Sequence, residues 1–379
     1  MKKRKLIVGI SFEGSVILLP GQMRHFTDLG YETYLLAPVS DRCREFCERE
    51  GCTLLPIVIE REISLFRDIK TLIAIIRIFR RVKPDIINLG TPKVSLLGMM
   101  AGYLLGIRNR IYTCRGYRFE HEHGMKRRIL VGMEKLTSKL AHEIICISPS
   151  VREFGLKNRL FSPEKAHVIN KGSSNGFDLR RFHPDAVDPE AKKKLAETLG
   201  FTGKFVYGFV GRIVDRKGIR ELFEAFSALS AKYPDLELLI VGGVEEVQIA
   251  DKTMLKRMQD TPNIHFVGPQ KDVPLYISLC DVFVLPAWWE GFGNVLVQAA
   301  AVGVPVISTT GTGSRDAVSH DFNGLLVEPK DEVGLAAAME RLYADRDLRL
   351  QMGRNGLEWA RNFDNAIIWN GMDELYKKR

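Results

Sequence analysis

Seven short apolar runs in the first half of the chain alternate with segments of helical periodicity, and this alternation leaves few architectures open. The runs fall at 5–10, 32–37, 53–57, 84–89, 110–114, 143–147 and 166–169. Between them, helices are predicted over 20–29, 40–50, 64–82, 93–105, 125–140 and 149–159. A strand followed each time by a helix builds a parallel sheet covered on both faces. Ligands of such sheets bind beyond the carboxyl ends of the strands. The first of those ends, Ser11–Phe12–Glu13–Gly14–Ser15, holds a single glycine. The absence of Gly-x-Gly-x-x-Gly there argues against a nicotinamide dehydrogenase.

The second half repeats the theme around one dense stretch. Asp281–Pro286 reads as a buried strand ending at a proline. From Asn294 the pattern turns helical, with Val295, Leu296, Ala299, Ala300 and Val302 on an apolar face, and Gly303 and Pro305 stop it. Glu290, Gly291, Phe292 and Gly293 therefore sit where a strand end meets a helix N-terminus. Free N–H groups and the positive end of the helix dipole collect at such a place and favour an anionic or hydroxyl-rich ligand. Read as helix at ~1.5 Å per residue, Gln298 would lie about 12 Å beyond Glu290. That is roughly the span from sugar to ribose in a nucleotide diphosphate sugar. Upstream, Phe205–Leu222 reads strand, loop, helix and carries Gly211-Arg212 and Lys217-Gly218. Two cations at a strand end suit a diphosphate leaving group.

A chain of 379 residues suggests two domains. Charge divides it the same way. Residues 1–184 hold 32 Lys and Arg against 18 Asp and Glu, whereas residues 185–379 hold 23 against 28. A basic first half needs an acidic partner such as an anionic lipid or a phosphorylated acceptor. Nucleic acid is not expected, because no helix-turn-helix, zinc or RNA-recognition pattern accompanies the charge. Residues 183–203 are polar and broken in helical pattern, so the boundary is placed near 185. No run of 18 clean apolar residues predicts a membrane span. The 64–83 segment is a basic amphipathic helix that either packs on its sheet or lies on a membrane surface. Cys43, Cys47, Cys52, Cys114, Cys146 and Cys280 contain no Cys-x-x-Cys pair and read as free thiols of a reducing compartment. His121 and His123 have only glutamates beside them, which is a poor metal set, and no metal is expected.

Glu290-Gly291-Phe292-Gly293, the small-residue helix after it and Gly303-Val304-Pro305-Val306 resemble the donor-site signature of the family-4 retaining glycosyltransferases. Gly211-Arg212 and Lys217-Gly218 match that family's second motif, Thr310–Val318 its donor-facing loop and Asn323–Val327 its last strand. The likeness covers essentially the whole chain, most strongly 205–328. One departure is Gln298, where the family has a glutamate that bonds the ribose. A glutamine still accepts through its carbonyl but carries no charge.

The resemblance implies the GT-B fold, with two Rossmann-like doubly wound domains facing across a cleft. An acceptor domain would span 1–184 and a nucleotide-sugar domain 185–362, with a helix over 363–379 returning to the first. It implies Arg212, Lys217 and Glu290 as catalytic groups, and Gly14, Gly291, Phe292, Gly293, Asn294, Val295 and Gln298 on a nucleotide sugar, with no cofactor or metal. The loop 112–124 carries Arg115-Gly116 where many relatives have His-Gly. In this it is similar to the subgroup that builds capsular, O-antigen or exopolysaccharide repeat units on a lipid carrier. Arg115, Arg118 and His121 would then meet a polyprenyl-diphosphate saccharide, and the basic helix after them an anionic membrane. A UDP-sugar donor and a cytoplasmic place, peripheral on the inner face of the plasma membrane, follow from the same likeness. The alternative readings are a GT-B epimerase or phosphorylase and a non-catalytic nucleotide- or carbohydrate-binding protein.

Overall fold

A computed structural model describes residues 3–60 and 64–378, so the first two residues of the basic start lie outside it. The chain divides into two compact units, Met1–Gly176 with Asn365–Arg379, and Phe177–Asp364. Strands of the first unit are β1 Lys5–Gly9, β2 Glu32–Ala37, β3 Thr53–Pro56, β4 Ile86–Leu89, β5 Asn109–Cys114, β6 Glu143–Cys146 and β7 Ala166–His167. They form one parallel sheet in the order β3-β2-β1-β4-β5-β6-β7. Side chains alternate across it, as a pleated strand requires. Leu6 and Val8 enter one core with Leu35, Ile86, Ile111 and Ile145, whereas Ile7 enters the other with Leu36, Ile87, Tyr112 and Ile144. Both faces are buried, which is why these strands read as continuous apolar runs.

The helix Asn365–Lys377 closes one of those cores with Ile368, Trp369, Met372, Leu375 and Tyr376. Polar bonds fix its register. Asn88 Nδ2 donates to Tyr376 Oη at 2.7 Å, Tyr31 Oη donates to Asp373 Oδ1 at 2.7 Å, and Trp369 Nε1 donates to Asn175 Oδ1 at 2.7 Å.

The second unit holds β8 Phe205–Val210, β9 Leu236–Val241, β10 Ile264–Gly268, β11 Val282–Leu285, β12 Val306–Thr309 and β13 Gly324–Val327. Their order is β10-β9-β8-β11-β12-β13, again parallel. The strand order makes β8, β11 and β12 neighbours. Their carboxyl ends, far apart in sequence, therefore open side by side. The polar stretch expected to be broken contains a helix, Pro189–Leu199. Asp188 caps it, Pro189 sits in the first turn and Gly200 ends it in the left-handed region. Those residues look like loop formers in isolation, yet they are the start and stop signals of a helix. Helices at Glu332–Ala344 and Arg346–Ala360 complete the unit.

Candidate functional site

Three strand-end loops of the second unit assemble the site. After β8 the chain makes a tight turn over Asp215–Lys217 and continues through Gly218. Gly218 has φ +72°, and a Cβ there would fall 2.0 Å from the Pro286 carbonyl. The glycine lets the turn seat directly on the end of β11. Trp288 N–H then donates to Arg216 O at 2.9 Å, joining the two loops. The loop after β12 straps the other side, where Glu290 N–H donates to Thr312 O at 2.7 Å and Gly293 N–H to Gly313 O at 3.2 Å. Gly313, at φ +73°, is held so close that a Cβ would stand 2.3 Å from Glu290 O.

This frame brings Lys217 Nζ onto Glu290 Oε1 in a direct ion pair, 73 residues apart in sequence. The two side chains are only 13% and 14% exposed, so the pair is partly desolvated. Arg216 Nη1 stands 3.7 Å from the same oxygen. The sequence reading did not single out Arg216. Its place beside Lys217 on a short turn was the available signal, but only the fold shows that both face one carboxylate.

Arg212 does not join them on that carboxylate. Its Nη1 bonds both carboxyl oxygens of Glu245 at 3.0 Å, and the side chain is half exposed. Gly291 and Phe292 offer main-chain N–H groups that donate to no protein group among the described residues, whereas those of Gly293 and Asn294 are already used. The Phe292 ring is buried and lies 5.3 Å from the Phe363 ring, so only its backbone faces a ligand. The helix runs Asn294–Ala301, with Val295 half-buried in its first turn. Asn294 Oδ1 is buried without a hydrogen-bond partner among the described residues. Because the helix begins at Asn294, Glu290 is in the loop and the 12 Å helical span to Gln298 does not hold. The Gln298 side chain is half-buried and makes no hydrogen bond among the described residues.

The remaining candidates lie in the first unit. Gly14 sits in a short 3-10 turn, Glu13–Leu18, under the Phe12 ring. Arg115 is not a free fork: its Nε donates to Ser174 Oγ at 2.7 Å and its Nη1 to Gly90 O at 2.6 Å. Burial draws its guanidinium down to about 10, which still leaves it charged at neutral pH. The sequence pictured Arg115 gripping a ligand, but two of its nitrogens hold the strand-end loops together. Arg118 is exposed and has no acidic partner among the described residues. His121 is exposed on the same loop.

Beside Arg118 a pocket opens between the start of the Pro92–Leu104 helix and the Gly124–Leu140 helix, with Glu134 in its wall. Tyr112 Oη donates to Glu134 Oε1 at 2.5 Å. Burial lifts this carboxyl to about 7, against that hydrogen bond. A raised carboxyl destabilises the fold where it is ionised in both states. The cost is absent below about 4.5, grows through the interval and is complete above about 7. Glu134→Gln is therefore expected to raise stability at pH 8.5 by up to ~3 kcal/mol, at about 1.4 kcal/mol per pH unit. The gain should fade as the pH falls to 4.5. Urea melts at both ends of that range check it; an equal gain at both would show that ionisation is not its source. Among the described residues no group of three or more His, Cys, Asp or Glu could hold a metal ion.

The family model described as Glycosyl transferases group 1 matches residues 191–359, and Glycosyltransferase Family 4 matches 22–181. The chain is 33% identical to the capsular polysaccharide biosynthesis glycosyltransferase CapM of Staphylococcus aureus, over 99% of this chain and 97% of that one. It is 29% identical to the Escherichia coli UDP-Gal:alpha-D-GlcNAc-diphosphoundecaprenol alpha-1,3-galactosyltransferase, covering 83% and 78%. Among solved structures it is similar to Anabaena HepE in complex with UDP, with a TM-score of 0.81 and 20% identity over 98% and 99% of the two chains.

Proposed function

This chain belongs to the family-4 glycosyltransferases of GT-B fold, and from that premise we propose that it moves a sugar from a UDP-sugar to a saccharide carried on a polyprenyl diphosphate, with retention at the anomeric carbon. The product would serve surface-polysaccharide assembly, as the names of its relatives suggest. The observation that carries the reading is the Lys217–Glu290 pair beside the open N–H groups of Gly291 and Phe292. A cation, a carboxylate and unpaired amides at one strand end can meet a diphosphate and the hydroxyls of its sugar together.

In the proposed reaction the bond from the anomeric carbon to the diphosphate oxygen breaks first, and the electron pair stays on that oxygen. Lys217 and Arg212 stabilise the charge that develops there. Arg212 leaves Glu245 at little cost, because exposed pairs contribute only about 0–1 kcal/mol. The acceptor hydroxyl attacks from the face the diphosphate leaves, and its proton passes to a phosphate oxygen of the donor. Glu290 and the amides of Gly291 and Phe292 hold the sugar in position, and Asn294 Oδ1 accepts from one of its hydroxyls. No metal or cofactor enters the scheme. Arg118 and His121 take the acceptor side.

Among the described residues no helix is long and apolar enough to cross a membrane. The Gly124–Leu140 helix instead exposes Met125, Ile129 and Leu136 among Lys126, Arg128, Lys135 and Lys139. This pattern supports peripheral contact with anionic lipid on the inner face of the plasma membrane.

Thermal melts with UDP, GDP and dTDP, without added metal, test the donor. UDP is expected to raise the melting temperature, since a ligand of the native state stabilises it. The absence of a shift with any nucleotide would remove the donor site. Gln298→Glu restores a charged acceptor at the family's ribose position. Charged hydrogen bonds exceed neutral ones by roughly 1 kcal/mol, so UDP should bind about fivefold tighter. Unchanged affinity by titration calorimetry would show that Gln298 does not touch the ribose.

A further inference from the structure

Resting on that reading of the acceptor, we infer that the small pocket behind Arg118, of about 50 Å³, is a hydrocarbon subsite, which takes part of the isoprene unit next to the diphosphate of the lipid carrier. Its walls are Phe119 from the loop after β5, and Leu130, Met133, Glu134 and Thr137 from the Gly124–Leu140 helix. These four positions follow the i, i+3, i+4, i+7 pattern, so they form one stripe of the helix. Pro92, at the start of the helix that follows β4, closes the other side. The pocket thus lies at the carboxyl edge of the sheet, where substrates of parallel sheets bind.

Apart from Arg118 at its mouth, the polar side chains of the pocket are already partnered. Thr137 Oγ1 donates to Met133 O at 2.9 Å, and Glu134 accepts from Tyr112. Lys93, which also lines it, pairs with Asp68 at 2.7 Å and donates to Glu60 O at 2.8 Å. A saccharide placed here would lose its water and find only Arg118 at the mouth as a new partner. An apolar chain loses nothing of the kind and covers Phe119, Leu130 and Met133.

The rim supplies what the other end of such a lipid needs. Arg118 is exposed and has no acidic partner among the described residues, so its forked donors are available to a diphosphate. A second stripe of the same helix, about a third of a turn round from the first, exposes Met125, Ile129 and Leu136, with Lys126, Arg128, Lys135 and Lys139 exposed on the same helix. One helix therefore presents a basic apolar face outward and an apolar wall inward. A lipid whose headgroup is drawn up to Arg118 finds the pocket beside that headgroup.

The test uses the full chain and a farnesyl diphosphate bearing a benzophenone on its diphosphate-proximal isoprene. After irradiation, peptide mapping is expected to place the label within 117–119 or 130–137. Unlabelled farnesyl diphosphate should compete at least tenfold better than inorganic diphosphate. Met133→Trp, which fills the pocket, should cut labelling at least tenfold while its circular-dichroism melt stays near that of the parent chain. Leu130→Gln, a smaller change in volume, should weaken labelling in the same direction. Label confined to other peptides, equal competition by inorganic diphosphate, or full labelling of both folded variants would overturn the subsite. The acceptor reading fails separately. Pocket labelling with no sugar transfer to any lipid-diphosphate saccharide keeps the subsite and ends that reading. Transfer to such saccharides with the label elsewhere does the reverse.

Discussion

Lys217→Ala is expected to lower kcat by roughly 10²–10³, the range seen when one preorganised group facing developing charge is removed. The turn that carries Lys217 is held by Gly218 against Pro286 and by Trp288 N–H on Arg216 O, neither of which uses the lysine side chain. The fold should therefore survive. Loss of Lys217 leaves Glu290 facing Arg216 at 3.7 Å, so the half-buried carboxylate keeps a cation nearby. That contact limits the stability cost and separates the lost rate from unfolding. The check is a pair of measurements: kcat on the donor that stabilises the protein, and a thermal melt. If the variant turned over near the parent rate, Lys217 would be only the structural partner of Glu290. Lys217→Arg keeps the charge but not the compact ammonium, so it should recover only part of the loss.

Gly313→Ala is the second large effect expected, and it removes no charged side chain. Gly313 has φ +73°, and its missing Cβ would stand 2.3 Å from Glu290 O. Alanine must either leave the left-handed region or push the Glu290 segment away, at a cost of about 1–3 kcal/mol. The displaced segment carries Glu290 and the open amides of Gly291 and Phe292, all in one short loop. A shift near 1 Å in such a site can cost about 10²-fold in rate. We expect kcat to fall by at least tenfold, donor KM to rise, and the Glu290 loop to move in a crystal structure of the variant. Full activity with the loop unmoved would show that the site does not depend on this close approach.

The two substitutions divide what sequence and fold each contribute. Lys217 stood out in the sequence because Gly211-Arg212 and Lys217-Gly218 follow a strand and match the second motif of the family the chain resembles. The strands themselves were legible for the same local reason. A buried parallel strand is an uninterrupted apolar run, and Ile7, Ile87 and Tyr112 lie in one core while Leu6, Ile86 and Ile111 lie in the other. Glu290 and its glycines were legible from the switch between strand and helix patterns. The Pro189–Leu199 helix was misjudged because its capping residues are also the commonest loop residues.

Pairing across the sheet was a different matter. That Lys217 meets Glu290 while Arg212 meets Glu245 follows from the order β9-β8-β11-β12, and strand order leaves no local mark. Arg115 could be read as a cation but not as one consumed by Gly90 O and Ser174 Oγ. The tail could be read as an apolar helix, but its register came from Asn88, Tyr31 and Asn175, which lie 194 to 342 residues away. The sequence by itself determined most of the strands and helices, Pro189–Leu199 apart, and which chemical groups stand at their ends, because backbone periodicity and capping act over a few residues. Only the tertiary structure decided which of those groups share a partner and which amides stay open, because each such contact is set by packing between segments distant along the chain.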